Sequence, residues 1–93
     1  MNKKKLKIAR KKVDFLDKEI FNLIKKRTQL VKYMLGLKKS RREIVDYGRN
    51  NEIFRKIKNK SIKNDIDPKI TRRIWKAMIW SYVDFQRRNF KKK

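Results

Sequence analysis

From Leu6 onward, apolar side chains recur at Leu6, Ala9, Val13, Leu16, Ile20, Leu23, Leu30, Met34 and Leu37, in steps that alternate between three and four residues. That spacing is a heptad-like helical seam. No Pro interrupts it, and Gly36 is the only weak helix former near its end, so one helix is predicted over about Lys5 to Lys39. Such a helix is about 50 Å long at 1.5 Å per residue, more than the ~30 Å across a small domain. The rest of the chain can cover only part of the seam. A second copy is the natural cover, and a two-fold homodimer is the commonest such assembly. Residues Lys39 to Val45 lack periodicity and read as a connection. A shorter helix follows over about Asp46 to Ile62, with Tyr47, Ile53, Phe54 and Ile57 as a partial apolar stripe. Asp67-Pro68 is a start signal, Asp as N-cap and Pro at the first helical position. The third helix carries Ile70, Ile74, Ala77, Met78 and Phe85 at helical spacing, with Trp75, Ile79, Tyr82 and Gln86 along an adjacent line. The predicted fold is therefore all-α: three helices (long, short and medium) in a single domain spanning residues 1–93, with basic ends at 1–5 and 87–93 expected to fray.

Composition narrows the chemistry. The 93 residues include no Cys and no His, which removes disulfides, thiolate nucleophiles, the commonest general base and the commonest metal ligands. An enzyme built from this chain works by charge and position, and neither a metal nor a cofactor is expected. No segment approaches the roughly 20 continuous apolar residues of a membrane span, and the N-terminus lacks the apolar core of a signal peptide. The expected location is cytoplasmic. Thirty-one Lys and Arg against nine Asp and Glu give a net charge of +22. Part of that excess follows equally from A/T-rich coding, since Lys, Ile and Asn are all abundant.

Arg27 stands where the seam asks for an apolar residue. A guanidinium there needs an anion, an Asp or Glu partner, or a route to solvent. Lys38 lies eleven residues on, within about 20° on the helical wheel, so both cations share one side, which suggests an external anion. The plain alternative for Lys38 is a solvated cation suited to a helix C-terminus. Arg10 is about 260° round from Arg27 and is placed to serve a partner's site rather than its own. Asp46 and Arg49 open the second helix, either as a local ion pair or as a pocket lining. Gln86 and Tyr82, four residues apart, share a face of the third helix.

In this order the residues resemble the all-helical chorismate mutase family over about Ile8 to Gln86. The run Arg10, Val13, Leu16-Asp17, Ile20, Leu23-Ile24, Arg27, Leu30, Lys38 is similar to the family's long first helix. Asp46-Tyr47-Gly48-Arg49 resembles its Asp-x-x-Arg, and Ile66-Asp67-Pro68 with Gln86 resembles its third helix. The resemblance implies an intertwined homodimer with two sites, each completed by Arg10 of the other chain. It implies chorismate as substrate, rearranged to prephenate in phenylalanine and tyrosine biosynthesis. Arg27 and Arg10 would clamp the carboxylates, with Arg49 in support. Lys38 and Gln86 would donate hydrogen bonds to the ether oxygen, and Asp46 would accept one from the ring hydroxyl or help place Arg49. Asn50 stands where the family commonly has Glu and can still bond a hydroxyl; Tyr82 stands where a small residue is common and would narrow the pocket. A pyruvate lyase acting on isochorismate would use the same cations. The rival from another class is a nucleic-acid or polyanion-binding helical protein, for which the charge is the expected footprint. Its cations, however, are scattered round every helix, and no helix-turn-helix or stacking motif is present. Nonspecific polyanion affinity is expected in either case.

Overall fold

In the computed structural model, which describes residues 2–91, three α-helices follow one another: α1 (Lys3–Leu37), α2 (Tyr47–Lys63) and α3 (Pro68–Asn89), with a short 3-10 turn at Arg41–Glu43 between the first two. There is no strand among the described residues. No helix of the described residues is long and apolar enough to cross a membrane. The chain divides into two compact units, Met1–Tyr33 and Met34–Lys93.

The first unit is helical from Lys3, and Asn2 starts it by accepting the Leu6 amide through its carbonyl at 3.0 Å. No residue of α1 is buried. Leu16, Ile20, Leu23 and Leu30, the centre of the predicted seam, are each more than half exposed. A helix with an open apolar stripe is stable only when something covers that stripe.

α1 ends at Leu37, two residues before the predicted Lys39. The cause is local. The Lys38 amide turns to the Leu35 carbonyl at 3.2 Å, a tighter bond than the α-helical one, and the Glu43 carboxylate then takes the amides of Lys39 at 2.5 Å and Ser40 at 3.3 Å. α2 starts where the sequence indicates, with Asp46 as N-cap accepting the Arg49 amide at 2.9 Å. α3 likewise opens on Asp67, which accepts the Lys69 amide at 2.9 Å, with Pro68 in the first turn. The link between them closes as a Schellman motif. The Ile66 amide returns to the Ser61 carbonyl at 2.9 Å and the Asp65 amide to Ile62 at 3.3 Å, with Asp65 at φ 59°, where Gly is the usual residue.

α2 packs on α3. Their buried face holds Ile79, Val83, Ser61 and Gln86, and Ile44 of the connection is buried as well. Buried Ser61 is satisfied twice, donating to Ile57 at 2.6 Å and meeting the Thr71 hydroxyl at 2.7 Å across the pair. The inward line of α3 is thus the one through Trp75, Ile79, Tyr82 and Gln86. Ile70, Ile74 and Ala77, expected as the apolar stripe, are exposed. On α2, Ile53, Phe54 and Ile57 are half-buried while Tyr47 is exposed.

Parts of both basic ends are helical. Residues 3–5 belong to α1 and residues 87–89 to α3. The end of α3 is held because Arg41 donates to the Arg87 carbonyl at 3.0 Å and lies over the Phe90 ring at 5.4 Å. Met1, Lys92 and Lys93, the rest of the expected frayed ends, lie outside the described residues.

Candidate active site

The second unit assembles a polar cluster at the C-terminal end of α1. Lys38, half-buried, donates from Nζ to Oε1 of Gln86 at 2.6 Å. Gln86 is buried on α3, and its Nε2 donates to the Tyr82 carbonyl one turn earlier at 3.2 Å. Helix geometry therefore fixes one end of the amide and the lysine fixes the other. An ammonium has three donors and a carboxamide nitrogen two, so after these bonds Lys38 keeps two donors and Gln86 one.

Burial pulls the Lys38 ammonium down from the ordinary lysine range, and the nearby carboxylates of Glu43 and Asp46 pull it back up. Glu43 is the residue whose part in the site the sequence reading missed. Its signal was present as Ser40-Arg41-Arg42-Glu43, the Ser-x-x-Glu spacing of a helix-start box. By holding the Lys39 and Ser40 amides it ends α1 one residue before Lys38.

The Asp46 and Arg49 pairing differs from a side-chain ion pair. Asp46 bonds the Arg49 backbone amide, whereas the guanidinium turns to Glu52 at 3.2 Å. Glu52 also takes Lys56 at 2.9 Å, and these cations hold its carboxyl below the usual glutamate range. Both partners of the Arg49 pair are well exposed, so the contact adds little stability. Asn50, half-buried on the next position of α2, carries a buried Nδ2 with no hydrogen-bond partner among the described residues. A buried donor in that state has a hydrogen bond still to gain. Tyr82 is half-buried and contributes its carbonyl to the cluster.

Among the residues singled out from sequence, the second unit thus brings together Lys38, Gln86, Tyr82 and, through its charge, Asp46, with Arg49 and Asn50 following on α2. Arg10 and Arg27 belong to the first unit, Arg10 exposed and Arg27 half-buried. Seventeen residues separate them, about 25 Å along α1. Cations and amide donors grouped in this way can bind a carboxylate and stabilise a developing negative charge, without a nucleophile or base of their own.

A comparison with protein families bears directly on this cluster. The chorismate mutase type II model matches residues 9–87, a stretch that contains Arg10, Arg27, Lys38, Asp46, Arg49, Asn50, Tyr82 and Gln86. No curated protein and no solved structure matches the chain. With the family's all-helical character present in α1 to α3, the chain belongs to the chorismate mutase type II family.

Proposed function

We propose that the protein is a chorismate mutase, an intramolecular isomerase that converts chorismate to prephenate for phenylalanine and tyrosine synthesis in the cytoplasm. The observation that carries this reading is the bond from Lys38 to Gln86 within a chain of this family. It supports a pair of donors poised for one atom. In the rearrangement, the ether C–O bond breaks as a new C–C bond forms, and negative charge grows on the ether oxygen. Lys38 and the remaining Gln86 amide proton meet that oxygen and stabilise the charge more in the transition state than in the ground state. Arg27, supported by Arg49, holds one carboxylate, and Arg10 of a second copy holds the other, since guanidinium forks suit carboxylates. Asp46 and the unpartnered Asn50 amide face the ring hydroxyl, and Tyr82 bounds the pocket. A reaction of this type needs the substrate held compact, not a base, metal or cofactor.

The intertwined homodimer is part of the proposal. The exposed seam of α1 and the exposed Ile70 and Ile74 of α3 supply the apolar area that a second copy covers.

The test is loss of chorismate absorbance with the product identified, beside an Arg27→Ala control. Prephenate from the wild type and not from the variant is the expected result. A folded wild type that leaves chorismate untouched refutes the reading, and pyruvate release from isochorismate would assign the lyase in its place.

A further inference from the structure

A groove of the second unit lies between α2 and α3, with a volume of about 630 Å³. Arg55 and Lys58 of α2 and Lys69, Arg72 and Lys76 of α3 line it, and none of its lining residues is acidic. On α3 the residues 69, 72, 76 and 80 fall within about 80° of one another on the helical wheel. Gln86 lies about 80° from the middle of that stripe and about 40° from Arg72 at its edge, but ten residues, or about 15 Å, beyond Lys76, so the groove and the Lys38 cluster are set apart mainly along α3. The scatter of charge along the sequence thus resolves, on this face, into two cationic rows facing a common floor.

That floor is apolar and aromatic. Phe54, Pro68 and Trp80 contribute to it. Trp80 is half-buried and its ring meets that of Tyr47 at 6.3 Å and 57°, which fixes the indole as a wall. Five cations in a groove lined by no carboxylate, of which Arg55 interacts with an acidic neighbour, Glu52, select a ligand with several negative charges. They also reject an amino acid, whose ammonium group would face like charge. An inorganic polyanion would leave the aromatic wall unused. The volume falls within the ~300–1,000 Å³ of small-ligand pockets.

We propose that this groove binds a nucleoside polyphosphate, its phosphates held by the two cationic rows and its base laid against Trp80. Stacking on an aromatic face and charge-assisted bonds to phosphate are the two contributions that such a ligand requires together. This site is independent of the mutase reading, because none of its residues belongs to the Lys38 cluster.

The experiment uses the full chain carrying Trp75→Phe, which leaves Trp80 as the only tryptophan. Its fluorescence is titrated with adenosine triphosphate, inorganic triphosphate and a single-stranded oligonucleotide, without divalent cation. Saturable quenching by adenosine triphosphate is expected. Inorganic triphosphate should compete for the site, but about tenfold more weakly, because it lacks the stacked base. The double variant Lys58→Ala/Arg72→Ala, at exposed positions and with unchanged circular dichroism, should lose about tenfold or more in affinity. Its chorismate turnover without nucleotide should equal that of the parent, so this result stands apart from success or failure of the mutase assay. Four outcomes overturn the proposal: no saturable quenching; equal affinity for triphosphate and nucleotide, which means a plain polyanion surface; unchanged affinity in the double variant; or quenching by the oligonucleotide alone, which means a strand-binding groove.

Discussion

Gln86→Glu tests the proposed chemistry at one atom. In the wild type the Gln86 Oε1 lies 2.6 Å from Lys38 Nζ, inside a buried position of α3. The substitution is nearly isosteric and places a carboxyl against that ammonium. The adjacent cation holds the new carboxyl below the range that burial alone would give, so at neutral pH it is ionised and pairs with Lys38. An ionised carboxylate is an acceptor only. The ether oxygen then loses the Gln86 donor and meets a negative charge where its own charge is growing. Removal of one such donor costs about 2.7 to 4 kcal/mol, or roughly 100- to 1,000-fold in kcat.

The pH dependence carries the sharper test. Protonation turns the carboxyl back into a donor, so kcat of Gln86→Glu should rise by about tenfold for each pH unit lowered, until the group is protonated. The wild-type amide does not titrate, and its kcat should stay flat over the same interval. Stability should move the opposite way. A carboxyl whose folded pKa is depressed contributes stability above its unfolded pKa, and that contribution is lost as pH falls through the folded pKa. Acid should therefore make the variant faster and less stable at once. The assay is a pH profile of chorismate loss alongside thermal melts at each pH. A variant with wild-type kcat at neutral pH, or with a loss that acid leaves unchanged, refutes the role given to Gln86.

Other expectations are checked with equal directness. Burial lowers the Lys38 pKa, so the alkaline limb of kcat should fall at a pH below that of an ordinary lysine; Lys38→Arg, always charged, should remove the limb from any activity it retains. Asp65→Gly should stabilise the chain by about 0.5 to 1 kcal/mol in thermal melts, because φ 59° is strained for Asp and free for Gly. Asp67→Ala should cost about 1 kcal/mol in chemical denaturation through loss of the bond to the Lys69 amide, with kcat unchanged. Leu23→Glu, at the middle of the exposed α1 seam, should shift the sedimenting species from dimer to monomer and lower helicity and activity together; an active dimeric variant would remove the seam from the interface.

The parts of the fold that were legible in the sequence are those set by one local signal. Asp46 and Asp67 each satisfy a helix-start amide three or two residues on, so the starts of α2 and α3 follow from the chain itself. The long helix follows from an uninterrupted period. The buried line of α3 did not follow, because two apolar stripes run along that helix and periodicity alone does not choose between them. Packing chose the line with Gln86, whose amide finds Lys38 and a backbone carbonyl, and left Ile70 and Ile74 outside. Long-range pairs of this kind have no sequence spacing to betray them. Lys38 and Gln86 are 48 positions apart, and only the family resemblance placed them in one site.

The turn at Asp65 was hidden for a different reason: its geometry is that of a glycine cap, and the residue is not glycine. Charge was the hardest property to read. Thirty-one cations appear uniform along the chain, yet their surroundings separate them into groups with different physics. Lys38 is partly desolvated and bonded to an amide. Arg49 and Lys56 are neutralised by Glu52 at the surface. The five of the α2–α3 groove share an aromatic floor with no carboxylate among the lining residues. A net charge of +22 sums these without distinguishing them, and it is the group that lines a carboxylate-free groove beside a tryptophan that has most to gain from an anionic ligand.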